Sequence, residues 1–150
     1  RDRPNFVFIV KESTEIFTAA DIPHTSEVRL VVVQTEKQHP FVQRELMMPV
    51  LPLVRVANVD AAIQLAVEVE HGNRHTAVMH SQDVSQLTKM GRLIQTTVYV
   101  KNGPSYAGLG IGGEGFTTFT IAGPTGEGLT SARSFARSRR CVLVGGLNIR

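Results

Sequence analysis

Residues 50–101 constrain the fold more than any other stretch of the chain. They alternate between short β-branched runs and longer amphipathic ones. Residues 50–56 (VLPLVRV) read as a strand, in which Pro52 cannot donate a ladder hydrogen bond and so belongs at a start, an edge or a bulge. A helix follows: Asn58 can cap it, Asp60 suits the positive end of its dipole, and Val59, Ala62, Ile63, Ala66 and Val67 share one face. Gly72 supplies its stop. Residues 75–80 (HTAVMH) read as a second strand, and Ser81 as the cap of a second helix. That helix turns Val84, Leu87, Met90 and Ile94 inward and Gln82, Asp83, Gln86 and Lys89 outward. Residues 96–101 (TTVYVK) complete a β-α-β-α-β run. Connections of this length favour parallel strands joined by right-handed crossovers, so the fold class is α/β.

Upstream, residues 27–34 (EVRLVVVQ) are rich in β-branched side chains and read as a buried strand. Residues 13–20 suit a short helix capped by Ser13 or Thr14, and Pro23 bars its continuation. Residues 35–40 form a polar loop, and residues 41–46 show no clear period. Beyond Asn102 the texture changes. Residues 103–128 hold most of the glycines and no helical period, which predicts an extended, irregular excursion. Residues 139–144 (RRCVLV) offer one last strand.

Composition narrows the function classes. One cysteine in 150 residues excludes an internal disulfide framework, fits a reducing compartment and leaves too few thiolates for a cysteine zinc site. No apolar run approaches the roughly 20 residues of a membrane helix, so no membrane role is expected. The opening residues lack the pattern of a signal peptide, and a first residue of Arg1 instead of Met hints at a preceding segment. Net charge is +3, with Arg133, Arg137, Arg139, Arg140 and Arg150 late in the chain. These arginines are interspersed with Ser, Phe, Ala and Cys, which fits a solvated or subunit-facing strand better than a nucleic-acid surface.

Several short motifs fail on context. Gly108, Gly110 and Gly113 spell G-x-G-x-x-G, but a dinucleotide fingerprint must close a strand and open a helix, and strand-like residues follow here. Gly123, Gly128 and Thr130 approach a P-loop, with Leu129 where the lysine belongs. Both groups suit a backbone that passes close to a ligand or a neighbouring chain. His71 falls at a helix end, and the odd spacing of His75 and His80 puts them on opposite strand faces, against a shared metal. Cys141 has arginine neighbours that could lower its pKa, but alternation along residues 140–143 makes it a small packed strand residue. Glu45 stands among apolar residues in ELMMP, where a carboxylate is expensive to bury unless paired. Taken alone, it is balanced between a functional group and an exposed loop residue.

Three longer segments carry more information. RELMMPVLPLVRV at 44–56, HGNRHTAVMHS at 71–81 and the glycine-rich block at 96–143 closely resemble the C-terminal region of CoA-acylating aldehyde dehydrogenases, of the propionaldehyde and acetaldehyde type associated with bacterial microcompartments. The resemblance runs from about residue 26 to the end. It implies a partial catalytic domain over residues 1–132 and an oligomerisation strand over 133–150, which would extend a partner subunit's sheet. The dinucleotide-binding domain and the nucleophilic cysteine would lie upstream, outside this chain, so the chain alone is expected to be inactive. The implied reaction oxidises a short-chain aldehyde with NAD and passes the acyl group to CoA, in the cytoplasm or inside a microcompartment. Glu45 matches the glutamate that grips the nicotinamide ribose hydroxyls. His75 resembles a histidine typical of the acylating branch, with a role near the thioester or CoA, and Asn102, Gly103 and Pro104 would shape the substrate pocket wall. A non-enzymatic assembly module, pairing through its basic terminal strand, is the competing expectation.

Overall fold

Two asparagine and aspartate caps set the two longest helices. Asn58 accepts a hydrogen bond from Ala61 N–H at 2.9 Å and starts a helix over Val59–Val69. Asp83 accepts from Ser85 N–H at 2.8 Å and Gln86 N–H at 3.2 Å and starts another over Val84–Ile94. Each cap satisfies backbone donors that the helix itself leaves unpaired. The computed structural model describes residues 6–115, 121–122, 128–142 and 144–145. They divide into two units, Arg1–Gly72 and Asn73–Arg150.

The first unit runs α1 (Ser13–Ala19), β1 (Val31–Gln34), α2 (Pro40–Gln43), β2 (Val50–Leu53) and α3 (Val59–Val69), after a 3-10 turn at Phe6–Phe8. β1 and β2 pair in parallel, with Val31 opposite Val50 and Gln34 opposite Leu53. Val31 N–H donates to Pro49 O and Thr35 N–H to Leu53 O, so the odd-numbered residues of β2 face β1. The nitrogen of Pro52 therefore points to the other edge, where its missing hydrogen costs no ladder bond.

Alternation divides this small sheet into two unlike faces. Val31, Val33 and Val50 line an apolar cavity of about 330 Å³ with Ile16, Phe17 and Phe41. On the opposite face Val32, Leu51 and Leu53 are exposed, which corrects the expectation of a strand buried throughout. The strand is also shorter than residues 27–34. α1 is capped differently from expectation: Glu12 is its N-cap, with no side-chain bond, while buried Ser13 donates its hydroxyl to Val28 O. Within residues 41–46, where no period was legible, Pro40–Gln43 forms a single turn capped by His39. α3 buries Ile63 and half-buries Leu65, Ala66 and Val69, whereas Val59, Ala62 and Val67 stay exposed.

The second unit contains β3 (Thr76–Met79), α4 (Val84–Ile94), β4 (Val98–Lys101), a 3-10 turn at Ser105–Leu109, and the antiparallel pair β5 (Ile121–Ala122) and β6 (Gly128–Leu129). Another 3-10 turn covers Ala132–Phe135. β3 and β4 are parallel, with Thr76 opposite Val98 and Met79 opposite Lys101. The order β2-α3-β3-α4-β4 follows the sequence reading, but among the described residues β2 and β3 belong to separate two-stranded sheets.

β4 is covered on both faces. On one, Tyr99 lies against α4 at Gly91, where an added Cβ would come within 2.9 Å of the ring. The Tyr99 hydroxyl donates to Leu87 O at 2.8 Å, and burial pushes its pKa up. On the other, Val98 and Val100 meet Gly108 of the 3-10 turn. Leu87, Met90 and Ile94 of α4 are buried with Val98 and Val100, while Val84, expected inward, is exposed. Gln86, expected outward, is half-buried with its Oε1 shielded from solvent. The 3-10 turn also corrects the expectation of an irregular stretch from residue 103. Residues 137–142 take no regular structure, so among the described residues the expected strand over 139–144 does not appear; Leu143 lies outside them.

Candidate functional site

In a parallel pair the loops leaving the C-terminal strand ends converge, and open α/β sheets bind ligands there. At that end of β3 and β4 the two exit loops are tied together by Asn102. Its Oδ1 accepts from Ser81 N–H at 2.7 Å and its Nδ2 donates to Ser81 O at 2.9 Å. Its own N–H donates to Met79 O at 2.9 Å, one rung beyond the last strand pair. The Asn102 backbone takes a left-handed φ of 56°, a conformation that asparagine tolerates better than most side chains.

The chain of bonds continues into α4. Ser81 Oγ accepts from Asp83 N–H at 3.0 Å, and Asp83 then caps the helix. Ser81, expected as the cap, thus lies two residues before the observed cap. Both residues can cap, and only the position of the first helical turn distinguishes them. The pairing of Ser81 with Asn102 was not legible from spacing. Its one signal was an asparagine directly after a strand, where a left-handed residue commonly ends the pairing.

Gly103 and Pro104 follow at once. Pro104 O accepts from Ala107 N–H at 2.9 Å, opening the 3-10 turn. The glycines that spelled a dinucleotide fingerprint serve packing at this turn. An added Cβ would lie 2.4 Å from Val98 Cγ1 at Gly108, 2.7 Å from Ala107 O at Gly113 and 2.0 Å from Gly108 O at Gly115. Gly110 has a left-handed φ of 90° and ends the 3-10 turn, and no helix begins here. Of the P-loop near-match, Gly128 falls in β6 and Thr130 is buried, while Gly123 lies outside the described residues.

His75 sits at the other end of the same strand pair. Its carbonyl accepts from Val98 N–H at 3.1 Å, and its Nδ1 is 2.8 Å from Thr76 Oγ1. About five residue steps, or roughly 16 Å, separate it along the strands from Asn102. The structure therefore brings Asn102, Gly103, Pro104, Ser81 and His80 together and leaves His75 at the opposite end. His71, with φ of 55°, lies between α3 and Gly72.

Glu45 belongs to the first unit, in the segment that enters β2. Leu46 is buried beside it, while Glu45 and Met47 are exposed. Met47 O accepts from Val10 N–H at 3.0 Å, and Met47 itself has a left-handed φ of 49°. The segment is thus pinned by one buried leucine and by backbone bonds at Met47, Met48 and Pro49, and it presents a carboxylate to solvent. Cys141 is exposed, not packed in a strand as expected. Among the described residues no helix is long and apolar enough to cross a membrane, and no group of three or more His, Cys, Asp or Glu could hold a metal ion.

No protein-family model matches the chain. The chain is 54% identical over 147 residues to a CoA-propanoylating propanal dehydrogenase of Citrobacter freundii, an alignment that covers 97% of this chain and 32% of that protein. It is 53% identical over 142 residues to the acetylating acetaldehyde dehydrogenase EutE of Escherichia coli, covering 95% of the chain and 30% of the relative. Among solved structures, Rhodopseudomonas palustris propionaldehyde dehydrogenase with bound CoA and an acylated cysteine superposes with a TM-score of 0.87 at 61% identity, covering 93% of this chain and 32% of that one. An engineered glycolyl-CoA reductase with bound NADP+ gives 0.87 at 60% identity, with the same coverage. A propionaldehyde dehydrogenase from the Clostridium phytofermentans fucose utilisation bacterial microcompartment gives 0.86 at 46%, covering 97% and 34%. The chain spans about a third of the length of each of these proteins.

Proposed function

The chain is a close homologue of part of the CoA-acylating propanal and acetaldehyde dehydrogenases, and we propose that it forms the carboxy-terminal third of such an enzyme. The observation that carries this reading is near-complete coverage of the chain against one-third coverage of every relative. The exposed apolar face of Val32, Leu51 and Leu53 supports it, because parallel sheets are normally covered on both faces.

The parent reaction converts a short-chain aldehyde, NAD(P)+ and CoA into acyl-CoA, NAD(P)H and a proton. A thiolate outside this chain adds to the aldehyde, hydride loss from that adduct leaves a thioester, and the CoA thiol takes the acyl group and releases the thiolate, splitting one difficult step into two. The bound nicotinamide supplies the hydride acceptor. Glu45 fits the cofactor: its carboxylate is exposed on a pinned segment and suits two ribose hydroxyl donors, bonds strengthened by its charge. Asn102, Gly103 and Pro104 lie at the C-terminal end of β3 and β4, where such sheets bind ligands, and shape the pocket wall. His75, at the far end, has a separate role toward the extended CoA.

Residues 139–144 act as the strand that pairs with a partner subunit. Among the described residues they have no partner strand, and Val142 and Val144 are exposed, which supports that role. Association with a microcompartment follows by analogy with the fucose-utilisation relative. The test is acyl-CoA formation by the parent-length polypeptide and by this chain alone. The parent turns over propionaldehyde and the chain does not, while Glu45→Gln in the parent raises the cofactor KM roughly tenfold, the scale of a weakened charge-assisted hydrogen bond. Turnover by the chain alone, or an unchanged cofactor KM in the variant, would refute the corresponding part.

A further inference from the structure

We propose that Asn102 is a positioning residue: it clamps the loop leaving β3 to the loop leaving β4 and so fixes the wall of the acyl pocket, without touching substrate. The inference rests on the enzyme reading for its function but on geometry alone for the clamp. Both polar atoms of the Asn102 amide are engaged by one residue, Ser81, through its N–H and its carbonyl. The side chain thereby imitates a peptide group and adds a rung to the parallel ladder after Met79 and Lys101.

Three further features make the arrangement specific. The left-handed φ of 56° turns the chain out of the strand at Asn102, where a residue with a larger side chain would be strained. Ser81 passes the constraint to the Asp83 cap through its hydroxyl, so the clamp also registers the start of α4. Gly103 and Pro104 follow immediately, so the pocket wall inherits the position that Asn102 sets. Ser81 takes one N–H and one lone pair of the amide; a second N–H and a second lone pair remain, so the kinetics below separate this role from a direct contact.

Asn102→Gly isolates the clamp, because glycine accepts the left-handed backbone and removes only the side-chain bonds. Asn102→Asp keeps an acceptor for Ser81 N–H but faces the Ser81 carbonyl with a second acceptor. The experiment uses the parent-length protein and two readouts. Hydrogen exchange at the Ser81 amide reports the clamp itself. Steady-state kinetics, normalised to acylatable thiol, report its effect on catalysis.

Loss of two hydrogen bonds predicts roughly tenfold faster exchange at Ser81 in Asn102→Gly, and a smaller change in Asn102→Asp. A displaced pocket wall lowers kcat by roughly tenfold or more, with the cofactor KM unchanged. Unchanged exchange overturns the clamp. Faster exchange with unaltered kcat and KM overturns the positioning role, leaving a structural one. A shift confined to the aldehyde KM overturns it in favour of direct contact. A parent protein with no aldehyde turnover would sink the enzyme reading and with it the positioning role, while the exchange measurement would still decide the clamp.

Discussion

Gly108→Ala is a sharp test of how the 3-10 turn seats on β4. The added methyl carbon would lie 2.4 Å from Val98 Cγ1 and 3.4 Å from Val100 Cγ2. The first distance is more than an ångström inside the 3.5–4.0 Å optimum for two carbons, and the second is ordinary contact. Val98 cannot swing aside, since it is buried and β-branched with few rotamers. Overpacking of this kind costs about 1–3 kcal/mol, and the reduced unfolded-state freedom of alanine returns about 0.4–1 kcal/mol. The net expectation is a loss of about 1–2 kcal/mol, read as a lower urea midpoint at constant slope.

The diagnostic partner is Val98→Ala, which removes the clashing methyl group. Alone it destabilises through lost burial of two methyl groups, about 1.6 kcal/mol before any cavity term. In the double variant the new alanine occupies the space vacated, so the two losses fall short of additivity by about 1 kcal/mol or more. A neutral Gly108→Ala, or strict additivity with Val98→Ala, would refute the close seating of the turn on β4.

Two other perturbations address α4 and its neighbour. Asp83→Ala removes the one oxygen that accepts both cap bonds and costs about 1 kcal/mol, whereas Ser81→Ala removes one hydroxyl acceptor and costs less; the reverse order in chemical denaturation would contradict the cap assignment. Tyr99 has a pKa raised by burial above the usual 10.0, so its contribution is fully present below about pH 10 and is lost as pH rises through the folded-state pKa. Tyr99→Phe therefore narrows the alkaline loss of stability, after a uniform cost of about 1 kcal/mol for the bond to Leu87 O. An identical alkaline limb in both proteins would count against the buried phenol.

The parts of the fold legible in the sequence were those with a local cause. Asn58 and the spacing of Leu87, Met90 and Ile94 announce their helices because capping and periodicity act within a few residues. Pro52 announces an edge because a missing hydrogen is a local fact. What was hidden depended on distant partners. Ser13 looked like a cap, but its hydroxyl is taken by Val28, fifteen residues away. Val32 looked buried, but one sheet face is open in this chain. The 3-10 turn at Ser105–Leu109 was masked by the glycines in and after it, of which Gly108 is required because Val98 leaves no room for a side chain.

The candidate site divides in the same way. Glu45 and the segment from Asn102 to Pro104 came from resemblance to long motifs, since composition left the first balanced and said nothing of the second. Their surroundings add a physical content that motifs lack: a pinned carboxylate in one unit and a doubly bonded amide in the other. His75 and His80 bound the strand read at 75–80, and the pairing register adds that His80, not His75, stands at the Asn102 end.

The central claim is that the reacting sulfur of the parent enzyme lies outside these residues. The most direct measurement is to expose the parent-length protein to propionaldehyde and oxidised nicotinamide cofactor without CoA, then locate the trapped acyl group by peptide mass spectrometry. The expected result is an acyl group on a cysteine outside residues 1–150, with Cys141 unmodified. An acyl group on Cys141 would contradict it.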